Sequence, residues 1–240
     1  MKKLGLLFLL VACGKMIWSQ NSIPMIGTNA PSFTASTTNG KLEFPEDFGK
    51  SWKILFSHPK DLTPVCTSEI LKLAEMQDEF KKLNVRIAVI SVDNLATHYQ
   101  WKQLMEEILQ KNQDTIKISF PFIDDSNAQV SNKYGMLHSW DNITRDVRGV
   151  FIIDPDNEIR IIYFYPLNVG RNMEEIKRAV LALQTSREKD ISTPVDWEPG
   201  DDVLMHHMPY TEKEYKKNPE LQNQYYKVGV NMYFKKEKDD

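Results

Sequence analysis

The 240-residue chain has only two cysteines, Cys13 and Cys66. Two thiols cannot build a disulfide framework, and they are too few for a cysteine-rich zinc or iron–sulfur site. A large excess of either charge is absent as well. The formal net charge is −3, so the whole-molecule balance gives no reason to expect nucleic acid as a partner. No apolar run reaches the roughly 20 residues that a spanning helix needs. The composition is 41% hydrophobic and 26% charged, which suffices for a buried core and excludes disorder as the main state.

The start of the chain is patterned differently from the rest. Lys2 and Lys3 precede an apolar run, Leu4 to Ala12, that is too short to span a bilayer. A basic start followed by such a run is the layout of a secretory signal peptide, expected over residues 1–19. Two ends are open. Leu10-Val11-Ala12-Cys13 resembles a bacterial lipobox, which would put a lipid on Cys13, although Lys15 follows closely. Cleavage after Ser19 is the other. Both predict an exported protein, in the periplasm or lipid-anchored in the cell envelope. Both also leave Cys66 as the only free thiol of the mature chain.

The body alternates strand and helix. Trp52–Phe56 is a short buried strand, and Glu69–Leu83 carries a helical stripe of Ile70, Leu73, Ala74, Phe80 and Leu83. Val85–Val92 is a central strand, rich in Val and Ile. Ala96–Gln110 is a helix, Phe120–Ile123 a short strand, and Gly149–Ile153 with Ile159–Tyr165 a hairpin about the turn Asp154–Asn157. Asn172–Gln184 closes the series as a helix. This is an α/β layer pattern. Ser192–Pro199 then reads as a linker. Residues 200–240 are polar, tyrosine-rich and weakly patterned, and the run Lys235–Asp240 reads as a solvated tail.

Cys66 lies between a strand and a helix, at or inside the helix's first turn. Free N–H groups and the positive end of the helix dipole favour an anion there, and a thiolate is such an anion. The neighbours Pro59, Thr63, Pro64, Thr67 and Ser68 describe a shaped loop, not a core stripe. The residue three beyond Cys66 is Glu69, so Cys-x-x-Cys dithiol exchange is excluded, and any oxidised Cys66 needs a reductant from outside. His98, His138, His206 and His207 show no ligand spacing, and no metal or other cofactor is expected.

The segment Pro59-x-x-x-Thr63-x-x-Cys66 resembles the active-site motif of peroxiredoxins, specifically the one-cysteine class. Gly27–Phe33, Arg148–Asp154, Gly170–Asn172 and Thr193–Asp201 agree with it, so the likeness covers about residues 25–205. It implies a thioredoxin-like fold over residues 25–188, a central mixed sheet flanked by helices, with a C-terminal extension arm over residues 189–240. It implies a peroxidase that reduces hydrogen peroxide and organic hydroperoxides through a Cys66 sulfenic acid. The recycling reductant would be an external thiol, thioredoxin-like, glutathione-like or another small thiol. A homodimer is implied too. Thr63 would hydrogen-bond the peroxide, and Arg148 would place its charge beside a sulfur exposed to small oxidants. Pro59 would shield the site, Glu69 would orient the arginine, Arg171 would be a second arginine, and His58 would tune or gate access. The competing expectation is a redox switch, sensing peroxide or acting as a holdase. Some one-cysteine relatives also carry a phospholipase Ser-His-Asp set. Ser51 and Asp156 match it, but Pro45 stands where the histidine would, and proline cannot act as a base, so that activity is not expected.

Overall fold

The computed structural model describes residues 23–111, 116–138, 145–187 and 190–237. The expected signal segment and Cys13 therefore lie outside the described residues. Among the described residues no helix is long and apolar enough to cross a membrane.

The centre is strand β3 (Trp52–Ser57), in which all six residues are buried. It pairs in parallel with β4 (Val85–Ser91) and antiparallel with β6 (Arg148–Ile153). Helix α1 (Pro64–Lys82) makes the crossover from β3 to β4, and α2 (Leu95–Lys111) the crossover from β4 to β5 (Phe122–Asp124). The β6–β7 hairpin (β7, Ile159–Tyr165) adds the last strand on one side. On the other, β1 (Phe33–Thr37) and β2 (Gly40–Phe44) form a hairpin whose β1 pairs with β5. The sheet order is β2-β1-β5-β4-β3-β6-β7, a mixed sheet.

Because β3 and its neighbours are covered on both faces, they read as continuous apolar runs. Their side chains still alternate between two cores. Ile54, Phe56, Val89 and Ile152 join Cys66, Ile70, Leu73, Trp101 and the inner face of α4 (Met173–Thr185). Leu55, Ala88, Ile90 and Phe151 pack on the opposite side with Phe44, Phe48 and Tyr134, the last just beyond the short helix α3 (Gln129–Lys133).

Three elements depart from expectation. The α1 helix begins at Pro64, five residues before the expected start at Glu69, because proline at the first helical position needs no N–H partner. The β1–β2 hairpin is additional to the expected strands, although Asn39-Gly40, with Gly40 at φ 98°, is a turn signal between alternating residues. The C-terminal segment is not a linker and weakly patterned tail. Strands β8 (Ile191–Ser192), β9 (Val203–Met205), β10 (Tyr225–Val228) and β11 (Met232–Lys235) form a second sheet in the order β10-β11-β9-β8. Short helices α5 (Glu212–Lys217) and α6 (Pro219–Gln224) connect β9 to β10. Thr211 and Glu214 make a reciprocal capping box at the start of α5. Trp197 is buried, and its carbonyl accepts from Arg178 of α4. Of the charged run, Lys235 ends β11, and residues 238–240 lie outside the described set.

Gly149 holds the site end of β6 against β3. A Cβ there would sit 2.9 Å from Ser57 Oγ and 3.1 Å from the Phe164 ring. Gly149→Ala is expected to destabilise the protein by about 1–3 kcal/mol through overpacking. Urea denaturation reads this as a lower midpoint at constant slope, and an unchanged midpoint would show that the ring and hydroxyl yield freely.

Candidate active site

The site forms where β3 ends and α1 begins, at the carboxyl end of a parallel strand, a common place for ligand sites in α/β sheets. The loop from His58 to Thr63 turns the chain into the helix, and Leu62 in it adopts a left-handed φ of 59°. That conformation costs a non-glycine residue about 1–2 kcal/mol. Thr63 is the N-cap residue, but its hydroxyl donates to the Lys60 carbonyl at 2.9 Å and makes no side-chain cap. Cys66 is the third helical residue, so the Val65 and Cys66 N–H groups belong to the first turn, where no carbonyl precedes them along the helix.

Cys66, Glu69, Ile70 and Leu73 share the inward face of α1, and all four are buried. This helical spacing puts a carboxylate beside a thiol. Arg148, the first residue of β6, reaches both: its Nη1 donates to Cys66 Sγ at 3.3 Å and to Glu69 Oε2 at 2.8 Å. Its Nε and Nη2 donate to the Leu167 carbonyl, which fixes the guanidinium plane. Arg171 comes from the loop between β7 and α4. Its backbone N–H and Nε donate to Glu69 Oε1, both at 2.9 Å, and its Nη2 donates to Glu69 Oε2 at 2.7 Å. Nη1 donates to the Ser57 and Gly149 carbonyls, and the guanidinium lies 3.4 Å from the Phe56 ring centroid.

Glu69 thus accepts from two guanidiniums. Burial pushes its carboxyl up, but the hydrogen bonds and charge of Arg171, with the charge of Arg148, outweigh this and hold it below its ordinary 4.5. Two buried arginines against one carboxylate leave one positive charge, and a thiolate on Cys66 makes the cluster neutral. Buried charges are tolerated when balanced and hydrogen-bonded in this way.

Not every expected residue touches the sulfur. Thr63 faces Lys60, and Pro59 is buried in the loop wall. His58 is buried, with Nε2 on Asp61 Oδ1 at 2.7 Å and its ring 4.9 Å from Trp101. The expectation of a sulfur open to small oxidants is corrected: Cys66 is 0% exposed and belongs to the core that β3, β4 and β6 form with α1, α2 and α4. Arg171 pairs with Glu69 and not with Glu174 or Glu175. Asp61 and His98 were missed by sequence reasoning, because His98 comes from α2 and no spacing links it to the loop. Potential ligand atoms of His58, Asp61 and Asp93 lie within 4.8 Å of one another. These residues are already joined by hydrogen bonds, His58 to Asp61 and the Asp61 N–H to Asp93, so they carry no metal assignment. Ser51 donates to Asn84, and Asp156 pairs with Lys50 and Arg187, so neither is arranged around Pro45 as a hydrolytic set.

A cysteine at the start of the helix in a β3–α1–β4 unit, clamped by an arginine from the adjoining strand β6, defines a thioredoxin-like thiol protein. The comparisons with known proteins agree. A family model described as the AhpC/TSA family matches residues 26–162. A peroxiredoxin of Methanosarcina mazei is 47% identical over 184 residues, 76% of this chain and 84% of that one. The solved structure of a yeast mitochondrial 1-Cys peroxiredoxin superposes with a TM-score of 0.77 at 36% identity, over 89% of this chain and all of the other. A mutant peroxiredoxin 6 of Arenicola marina gives 0.78 at 30% identity, over 90% of this chain and all of that one. The chain belongs to the AhpC/TSA family and is a peroxiredoxin, a thiol-dependent peroxidase.

Glu69→Gln would leave two buried guanidiniums short of a counter-charge, and is expected to cost about 3–5 kcal/mol of stability at neutral pH. Because Glu69 is depressed in the folded state, its contribution is complete above about 4.5, its unfolded value, and is lost as pH falls through the lower folded value. Guanidinium denaturation of both proteins across that range should show the wild-type advantage shrinking on acidification. An advantage that persists unchanged would contradict the charge account.

Proposed function

We propose that this peroxiredoxin works by a one-cysteine cycle on hydrogen peroxide and organic hydroperoxides. The observation that carries this reading is the Arg148 guanidinium 3.3 Å from Cys66 Sγ, locked in place by Glu69 and the Leu167 carbonyl. The thiolate attacks one peroxide oxygen. A sulfur–oxygen bond forms, the O–O bond breaks, sulfur is oxidised by two electrons, and the leaving oxygen takes a proton to become water or an alcohol. Arg148 offers fixed positive charge as negative charge moves onto that oxygen. Thr63, whose O–H is given to Lys60, keeps oxygen lone pairs that accept the peroxide O–H.

The product is Cys66 sulfenic acid. Cys66 has no second free thiol to pair with in the mature chain, so recycling uses an external thiol. One equivalent displaces water to give a mixed disulfide, and a second releases Cys66 and carries away the disulfide. The yeast mitochondrial relative resolves its thiol via glutathione and thioredoxin systems, and reductants of that chemistry suit a lone cysteine here.

Export and dimerisation belong to the same reading. The basic, apolar start of the chain supports delivery to the periplasm or a lipid anchor at Cys13. Strand β7 is an edge of the large sheet, and its residues from Arg160 to Tyr165 are half-buried, which supports pairing with a second copy of the chain.

Stopped-flow mixing of the reduced protein with peroxide should consume one thiol per chain, and Cys66→Ser should abolish the reaction. Arg148→Ala should slow it about 10²–10³-fold, the range for losing one preorganised donor. Thiol loss that survives Cys66→Ser would refute the assignment. Turnover with dithiothreitol separates an enzyme from a redox switch, which would react once and recycle slowly. Sedimentation at micromolar concentration should give a dimer, and a monomer alone would remove that part of the reading. The mass of the mature protein from its host should show either an acylated Cys13 or a start at residue 20, and an intact residue 1 would exclude export by this route.

A further inference from the structure

One buried group near the site has an atom with nothing to bond. His58 is fully buried, yet its Nδ1 has no hydrogen-bond partner, the Cys66 sulfur included. Leaving such a nitrogen unmatched is costly and asks for a reason. Its position supplies one. The His58 N–H continues the strand pairing to the Ile90 carbonyl, so its side chain follows Ile54 and Phe56 onto the face of the sheet that holds Cys66. Arg171 lies over Phe56 on that face, and Trp101, stacked near His58, donates from its indole to Thr67, the neighbour of Cys66.

Hydrogen-bond partners fix the protons of this group. His98 Nε2 is 3.0 Å from the Ile123 carbonyl oxygen, which only accepts, so that nitrogen carries a proton. His98 Nδ1 is 2.6 Å from Asp61 Oδ2, and His58 Nε2 is 2.7 Å from Asp61 Oδ1. An ionised carboxylate also only accepts, so both imidazoles donate to it. His98 is therefore an imidazolium, and His58, donating from Nε2, has a bare lone pair on Nδ1. The titration tendencies agree. Burial raises Asp61, but the two histidines hold it low. Burial lowers His98, but Asp61 lifts it above its ordinary value. His58 is lowered by burial most, Asp61 opposing, with His98 and Arg171 adding to the fall. The other charged groups facing the trio are Asp93, between β4 and α2, and Asp124, at the end of β5.

We propose that His98 is a positioning residue for peroxide reduction: through Asp61 it holds His58 as the Nε2–H tautomer, keeping Nδ1 free to accept the second O–H of hydrogen peroxide at Cys66, the one that Thr63 does not hold. This rests on the peroxidase reading. It explains why an unmatched nitrogen is kept beside the site, since the arriving O–H completes its bonding. Without the His98 charge, Asp61 would draw a second proton onto His58, and Nδ1 would become a donor.

Nitrogen-15 NMR of histidine-labelled, reduced protein without peroxide tests the tautomer at neutral pH. His58 should show a protonated Nε2 and a bare Nδ1, and His98 should be protonated on both nitrogens. A proton on His58 Nδ1, or a neutral His98, would overturn the proposal. In His98→Gln, His58 should take up its second proton in the neutral range. The peroxide rate should fall about tenfold or more, at the low end of acid–base effects, with a new inflection in its pH profile. An equal loss at every pH with the His58 tautomer unchanged would make His98 merely structural and also overturn the proposal. If that variant does not fold, the wild-type tautomer decides alone. Because that reading needs no turnover, an inert Cys66 would sink the peroxidase reading and leave the proton assignment standing.

Discussion

A carboxylate that cannot be solvated governs the site. Glu69 sits on the inward face of α1 and accepts hydrogen bonds from guanidiniums on two other parts of the chain, the start of β6 and the loop before α4. The ionised form survives there because both arginines reach it, and Arg171 survives burial because Glu69 and two backbone carbonyls match its donors. Each charge is tolerable only in the presence of the others. That mutual dependence ties α1, β6 and the β7–α4 loop together at one point. It also aims Arg148 at the sulfur, since Glu69 and Leu167 leave its Nη1 little freedom.

The same tightness shapes the chemistry. The sulfur is enclosed, so bulk water does not reach it. In a water-poor site fixed dipoles and charges act with less screening than at the surface. Helix geometry contributes the first-turn N–H groups of Val65 and Cys66, and strand geometry places Arg148 where β6 begins beside β3. The His58–Asp61–His98 chain extends this preorganisation to a second side of the pocket, with its own internal balance of one carboxylate and one imidazolium.

The C-terminal sheet follows a different logic. Its strands are short, and several of its aromatic side chains stack on one another, Tyr210 on Tyr215 and Tyr226 on Phe234, instead of entering the main core. Ile191, Val203 and the adjoining Trp197 are its buried points, and Arg178 of α4 donates to the Trp197 carbonyl. Such a unit leaves little periodic trace, because neither face of each strand is wholly buried and alternation is diluted. The capping box at Thr211 and Glu214 was present as a local signal; the pairing of β9 with β11, nearly thirty residues apart, was not.

The alternation of β3, α1, β4, α2, β5, β6, β7 and α4 and the place of Cys66 at a helix start were legible in the sequence alone. Apolar runs mark β3, β4 and β6 because those strands are covered on both faces, and Cys66 stands in a loop whose prolines and hydroxyls belong to no core stripe. Helical spacing likewise put Glu69 beside Cys66, since residues three apart share a face. Only the tertiary structure decided that Arg171 bonds to Glu69, that Thr63 turns to Lys60, that the sulfur is enclosed, and that His98 reaches Asp61. Each of these is a meeting of groups far apart in the chain or a choice among nearby partners. Such outcomes depend on how strands register and loops close, which no local pattern of residue types encodes.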